Sequence, residues 1–193
     1  MIRTNPLCID LFCGLGGWAE GFLAEGYRVV GFDNDPRFAK VYPGEFVLQD
    51  VRTLDGRRFR GARCIVASPP CQDFSQMLRI GKDRTPANPD LSLFHAAQRI
   101  GREAGVPTVI ENVRDARRYF PGVRTHRGPF WLWGDVPLLS PVKVKPKIGG
   151  SFNRSRPSFK DRGWADRDRS RAGASLRAKI PLPLARAVAR GFL

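Results

Sequence analysis

Apolar and polar residues alternate along the first two-thirds of the chain in blocks rather than singly. Leu7-Cys8-Ile9-Asp10-Leu11-Phe12 is a short, nearly continuous apolar run, the mark of a strand covered on both faces. A glycine cluster, Gly14-Leu15-Gly16-Gly17, follows, and Trp18 to Ala24 has helical spacing with Gly26 as its stop. Arg28-Val29-Val30-Gly31-Phe32 predicts a second strand ending at Asp33. Phe46-Val47-Leu48 and Cys64-Ile65-Val66-Ala67 predict a third and fourth, and Thr108-Val109-Ile110 a fifth after a helix over Leu91 to Ala104. This β-α-β alternation predicts an α/β fold, a Rossmann-like parallel sheet with helices on both faces. Ligands on such sheets sit beyond the carboxyl ends of the strands. Asp10 to Gly17, Asp33, Asp50, Ser68 to Ser75 and Glu111-Asn112 all fall there, which predicts the site.

The pattern changes after Pro137. Residues 141–178 hold eleven Lys or Arg against three Asp, with Pro141, Pro146, Gly149-Gly150 and Pro157 favouring loops and short strands. Helical spacing returns over Pro183 to Phe192, with Leu184, Ala187 and Val188 on one face. Three regions follow: 1–140 as the main domain, 141–178 as a short basic segment, and 179–193 as a helix that packs back on the first.

The 193 residues carry a formal charge of +15, about half of it in that basic segment, while 42% of residues are hydrophobic, enough for a core. A surplus of this size points to a polyanionic partner, above all nucleic acid. No apolar run approaches the ~20 residues of a membrane span, and the first residues carry no stretch of signal-peptide length. The four cysteines form no CxxC pair and the two histidines stand far apart, so neither a zinc site nor a disulfide framework is expected. Cys8, Cys13 and Cys64 read as small buried apolar residues. The expectation is a reduced, cytoplasmic chain without metal or membrane partner.

Gly14-Leu15-Gly16-Gly17-Trp18-Ala19 with Asp33 one strand later suits a cofactor carrying a ribose, nicotinamide or adenosyl alike. Three further segments arrive in order: Gln49-Asp50-Val51, Ser68-Pro69-Pro70-Cys71-Gln72-Asp73-Phe74-Ser75 and Glu111-Asn112-Val113. Together with Asp10 to Gly17 and Gly31-Phe32-Asp33-Asn34-Asp35-Pro36 they resemble the cytosine-5 DNA methyltransferase family. The resemblance covers residues 7–134 and returns near the C-terminus. A dinucleotide oxidoreductase would use the glycines but leave Pro-Pro-Cys-Gln unexplained.

The resemblance implies methyl transfer from S-adenosylmethionine, with S-adenosylhomocysteine as product, to carbon 5 of a cytosine flipped out of DNA. Carbon 5 is a poor nucleophile until a thiolate adds at carbon 6. Cys71 takes that role, with Pro70 and Gln72 flanking it. Glu111 is assigned to the base, its carboxyl pKa raised by burial, and Asn112 to the adjoining backbone. The cofactor residues implied are Asp10, Phe12, Gly14, Gly16, Gly17, Trp18, Asp33, Asn34, Asp50, Val51, Pro69 and Leu93. Asn34 stands where many relatives place an aromatic, and Asp50 also reads as a turn or capping carboxylate.

Arg124-Thr125-His126-Arg127, followed by Phe130-Trp131-Leu132-Trp133, is similar to the family's arginine motif, which precedes a strand. It lacks the usual Gln and is interrupted by Gly128-Pro129. Arg127 is assigned to the base or its carboxylate partner, Arg124 to phosphate, and His126 to a supporting hydrogen bond. Arg79, Lys82, Arg84, Arg154 and Arg156 complete the nucleic-acid residues. Residues 178–185 are similar to the last family motif without its Gly-Asn pair. The short basic segment implies low or short sequence specificity, and the compactness is like that of phage-encoded members, in a bacterial or infected cell. A monomer is expected. The rival readings are an RNA methyltransferase of the same lineage and a non-catalytic DNA-binding protein on a decayed scaffold.

Overall fold

The computed structural model describes residues 5–74, 89–142, 144 and 179–193. Seven strands form one sheet: β1 (Leu7–Leu11), β2 (Arg28–Asp33), β3 (Glu45–Leu48), β4 (Cys64–Ala67), β5 (Thr108–Asn112), β6 (Val123–Arg127) and β7 (Phe130–Gly134), in the order β3-β2-β1-β4-β5-β7-β6. The first five pair in parallel, with Cys8 between Val29 and Cys64, and Ala67 beside Ile110. All five apolar runs are therefore strands. β5 runs two residues further than the apolar run, so Glu111 and Asn112 are themselves strand residues.

The expectation of a wholly parallel sheet needs correcting at one edge. Arg124 to Arg127 is itself strand, and β6 and β7 form a hairpin that joins β5 antiparallel. Gly128-Pro129 is the two-residue turn of this hairpin, and Gly128 (φ 59°) supplies the positive φ required at its first position.

Helices α1 (Gly17–Ala24) and α3 (Leu182–Arg190) cover one face, and α2 (Ser92–Ala104) the other. On α2, Phe94, Ala97, Ile100, Gly101 and Ala104 repeat at three and four residues and are buried, and Gly105 in the left-handed region ends the helix. On the opposite face Gly21 meets Ala185 so closely that a Cβ would lie 2.3 Å from the alanine methyl. The Tyr27 hydroxyl donates to the Ala189 carbonyl at 3.0 Å, and Glu25 accepts from Arg186 and Arg190. Those two guanidiniums hold the Glu25 carboxyl below its usual range. Leu184 and Val188 are fully buried, each worth about 1.5–3 kcal/mol in removed apolar surface. Among the described residues no helix is long and apolar enough to cross a membrane.

Candidate active site at the carboxyl edge of the sheet

β1 ends at Leu11, and the chain turns sharply. Phe12 is the only non-glycine among the described residues with positive φ (58°), a conformation that costs free energy and clusters at functional sites. Gly14 and Gly16 continue the turn at φ 47° and 73°. The Gly16 amide donates to the Cys13 carbonyl at 2.8 Å, and Gly16 opens α1 from the left-handed region. The Asp33 carboxylate ties this turn to β2, accepting from the Gly14 amide and the Asp35 amide, each at 3.0 Å. Burial raises the Asp33 pKa, and those amide bonds oppose the rise.

The glycines are not equivalent. A Cβ on Gly14 would find nothing nearer than the Phe12 carbonyl at 4.0 Å. On Gly16 it would lie 2.3 Å from Pro43, and on Gly17 2.5 Å from the Ile180 backbone nitrogen. Of the three, Gly14 alone keeps its side clear among the described residues. Gly16 and Gly17 are small because the chain itself lies against them.

Beneath the turn, Asp10 is 1% exposed and accepts from the Tyr42 hydroxyl at 3.1 Å. Desolvation pushes its pKa up to about 8. Trp18 is also buried, and its indole N–H donates to the Ser68 hydroxyl at 2.9 Å. That bond joins the glycine turn to the segment leaving β4.

This segment is fixed from below as well. The Asn112 amide donates to the Pro69 carbonyl at 3.0 Å, and its oxygen accepts from the Val113 amide at 2.8 Å. Beyond the prolines Cys71 is half-buried, and the Phe74 amide donates to its carbonyl, closing a short 3-10 turn over Gln72–Phe74. Phe74 anchors the turn against Tyr119 and Phe120, and the Asp73 carboxylate accepts from the Asp90 amide at 2.8 Å. Cys8, Cys13 and Cys64 are buried in the core, and burial pushes the Cys8 and Cys13 thiols up. Cys71 is thus the one cysteine of the four that reaches the surface. Glu111, 4% exposed, lies two residues beyond Val109 on the same face of β5. Among the described residues no three His, Cys, Asp or Glu gather to hold a metal.

A family model described as C-5 cytosine-specific DNA methylase matches residues 7–118, more than half of the sequence. The chain belongs to this family. It is 35% identical over 127 residues to a type II methylase of Herpetosiphon aurantiacus, covering 59% of this chain and 34% of the relative. A putative type II methyltransferase of Methanocaldococcus jannaschii is 30% identical over 86 residues, covering 39% and 28%. The chain thus spans about a third of the length of these relatives. A methyltransferase of Entamoeba histolytica is similar in structure, with a TM-score of 0.44, 17% identity, and coverage of 60% of this chain and 40% of that one.

Several residues assigned to the cofactor are buried or already engaged in this family member. Asp10, Trp18 and Val51 are core residues, 1%, 2% and 3% exposed. Asp50 caps the 3-10 turn Val51–Thr53, accepting from the Arg52 amide at 2.9 Å, and pairs with the Arg52 guanidinium, which lowers its pKa. Asn34 is exposed, Phe12 and Leu93 are half-buried, and Pro69 is buried. Pro70 and Gln72 are exposed.

Register places Glu111, Leu132 and Thr125 in one lateral row. Arg127 shares their face but stands on β6, about 10 Å from β5 at the usual strand spacing. Its guanidinium donates to the Thr125 hydroxyl and the His126 carbonyl, both at 2.9 Å. Arg124 is exposed at the irregularity of β6. His126, expected to supply a supporting hydrogen bond, instead stacks on Trp131, with centroids 4.6 Å apart and planes at 12°. Arg79, Lys82, Arg84, Arg154 and Arg156 lie outside the described residues.

A concavity of about 480 Å³ beside Arg52, Arg99 and Glu103 adjoins Asp50, and another of the same size opens at the far edge between α2 and Trp133. The second lies away from the residues described above. Sequence reasoning missed the Tyr42 bond to Asp10, the Trp18 bond to Ser68 and the packing of Ile180 on Gly17. All three are contacts between segments distant in the chain, and no local pattern announces them.

Proposed function

We propose that the chain methylates carbon 5 of cytosine in DNA, using S-adenosylmethionine and a covalent bond to Cys71. The observation that carries this reading is the position of Cys71. It is the surface-reaching thiol of the four, on a turn held by Asn112 and Phe74 at the carboxyl edge of the sheet, one strand from Glu111.

The cofactor fits the β1–β2 half of this edge. The open side of Gly14 admits a close ligand, and each Asp33 oxygen keeps a lone pair for a ribose hydroxyl beyond its amide bond. S-adenosylmethionine supplies an electrophilic methyl group. On the β4–β5 half, the Cys71 thiolate adds to carbon 6 of the flipped base, and the electron pair of the 5,6 double bond becomes available at carbon 5. Glu111 hydrogen-bonds N3 and the exocyclic amine, its burial suiting a carboxyl that carries the proton to N3. Once carbon 5 carries the methyl group, its proton passes to a solvent base, the C–H electron pair re-forms the 5,6 double bond as the thiolate leaves, and the N3 proton returns to Glu111. Unstacking the base costs a few kcal/mol, supplied by contacts along the strand.

Incubation with labelled S-adenosylmethionine and mixed-sequence DNA tests the reading. The wild type is expected to label DNA in preference to competing RNA, and Cys71→Ser to label neither. Equal labelling by the two proteins overturns the role of Cys71. No labelling by a folded chain that binds cofactor overturns the proposed activity.

A further inference from the structure

Beyond Asn112 the chain forms a 3-10 turn, Arg114–Arg118, from which Arg117 reaches the β6–β7 hairpin. The Arg117 guanidinium sits 5.4 Å from the centre of the Trp131 ring, against which the His126 ring also stacks. Trp131 is opposite Asn112 in the sheet, so this cation–aromatic assembly stands beside the residue that holds Pro69. The antiparallel sense of β7 places the hairpin tip at the same edge as the carboxyl end of β5. Phe74, three residues after Cys71, packs on Tyr119 and Phe120 at the end of the same 3-10 turn. Thiol turn and arginine turn therefore share one aromatic anchor.

Charge distinguishes this rim from the ion-paired surface around β2 and α2. Around β2 and α2, Arg37, Arg52, Arg57 and Arg99 are each paired with a carboxylate. Residues 113–128 carry five arginines and one acid, Asp115, whose side chain is buried and paired with Arg114. Arg117, Arg118 and Arg124 are exposed and form no ion pair among the described residues. An arginine held over an aromatic face has lost part of its side-chain freedom, which suits it to meet a fixed anion.

We propose that Arg117, resting on the Trp131 ring that His126 backs, and its exposed neighbour Arg118 form a ledge for the phosphodiester backbone of the strand whose base enters the site. Guanidiniums match phosphate oxygens two at a time, and contacts of this kind position a strand without reading its sequence. The ledge rests on the methylase reading above and adds to it a binding surface outside the cofactor and thiol residues.

The test uses the full chain, a fluorescein-labelled duplex and anisotropy titrations between 50 and 200 mM salt. Arg117→Gln/Arg118→Gln is expected to weaken binding uniformly across duplex sequences and to lower the log–log salt slope by about 1 per guanidinium removed. The KM for DNA rises while kcat, affinity for S-adenosylhomocysteine and the melting temperature stay put. Trp131→Leu is expected to show a smaller loss of the same kind. Unchanged affinity and slope in both variants, with a wild type that binds and methylates DNA, would overturn the ledge alone. A wild type that neither binds nor methylates any DNA overturns both, as does binding to polyglutamate but not to DNA.

Discussion

The two halves of the sheet's carboxyl edge are built on opposite plans. The β1–β2 half is made of backbone: a glycine turn, one strained phenylalanine and amides gathered by Asp33, with the chain's own Pro43 and Ile180 against two of the glycines. The β4–β5 half is made of side chains: Cys71 on its turn, Glu111 and Asn112 at the strand end, and Phe74 as anchor. The first half is damaged by adding atoms, the second by removing them. Substitutions can break the two separately.

The largest effect is expected on the side-chain half. Cys71→Ser should lower methyl transfer by roughly 10³-fold or more with melting temperature and cofactor affinity unchanged, read by single-turnover labelling. Glu111→Gln should cost about 10²–10⁴-fold in kcat, read by the same assay, because it removes the proton donor but keeps the shape. On the backbone half, Gly17→Ala forces a methyl against the Ile180 backbone. A loss of about 1–3 kcal/mol in urea unfolding is expected, with the residual folded protein still active. An unchanged midpoint would remove Ile180 as the reason for that glycine.

A pH-dependent effect on stability concerns the buried Asp10. Its folded pKa, about 8, lies far above that of an unfolded aspartate, so the folded state binds the extra proton. The stability this contributes is fully present below about pH 4 and is lost as pH rises toward about 8. Asp10→Asn should abolish this loss, so the stability difference between variant and wild type should shift in the variant's favour from pH 4 to 8. A constant difference would mean that Asp10 is ionised throughout. Smallest is Trp18→Phe, which removes the hydrogen bond to Ser68 that joins the two halves. About 1 kcal/mol of stability is expected to go, and less of the activity than of the stability.

Residue patterns carried much of this architecture. Leu7–Leu11, Arg28–Asp33 and Cys64–Ala67 are legible because a strand buried on both faces needs an unbroken apolar run. The spacing of Phe94, Ala97, Ile100 and Ala104 is legible because a helix repeats every 3.6 residues. The motif residues Cys71, Glu111 and Asn112 follow from the order of short segments at strand ends. The direction of β6 and β7 does not follow, because an apolar run such as Phe130-Trp131-Leu132-Trp133 is the same in either sense. The bond from Trp18 to Ser68 and the packing of Ile180 on Gly17 do not follow either, since a buried tie and a ligand contact use the same residue types.

The sequence by itself thus determined the alternation of strands and helices, the edge where chemistry gathers, and the family. These depend on local periodicity and on residue type at strand ends. Only the tertiary structure decided which glycine faces open space, that Trp18 is tied to Ser68, and that Arg117 rests on Trp131. Those are contacts between segments far apart in the chain. Their free energy arises from the surfaces that packing brings together, which no window along the sequence contains.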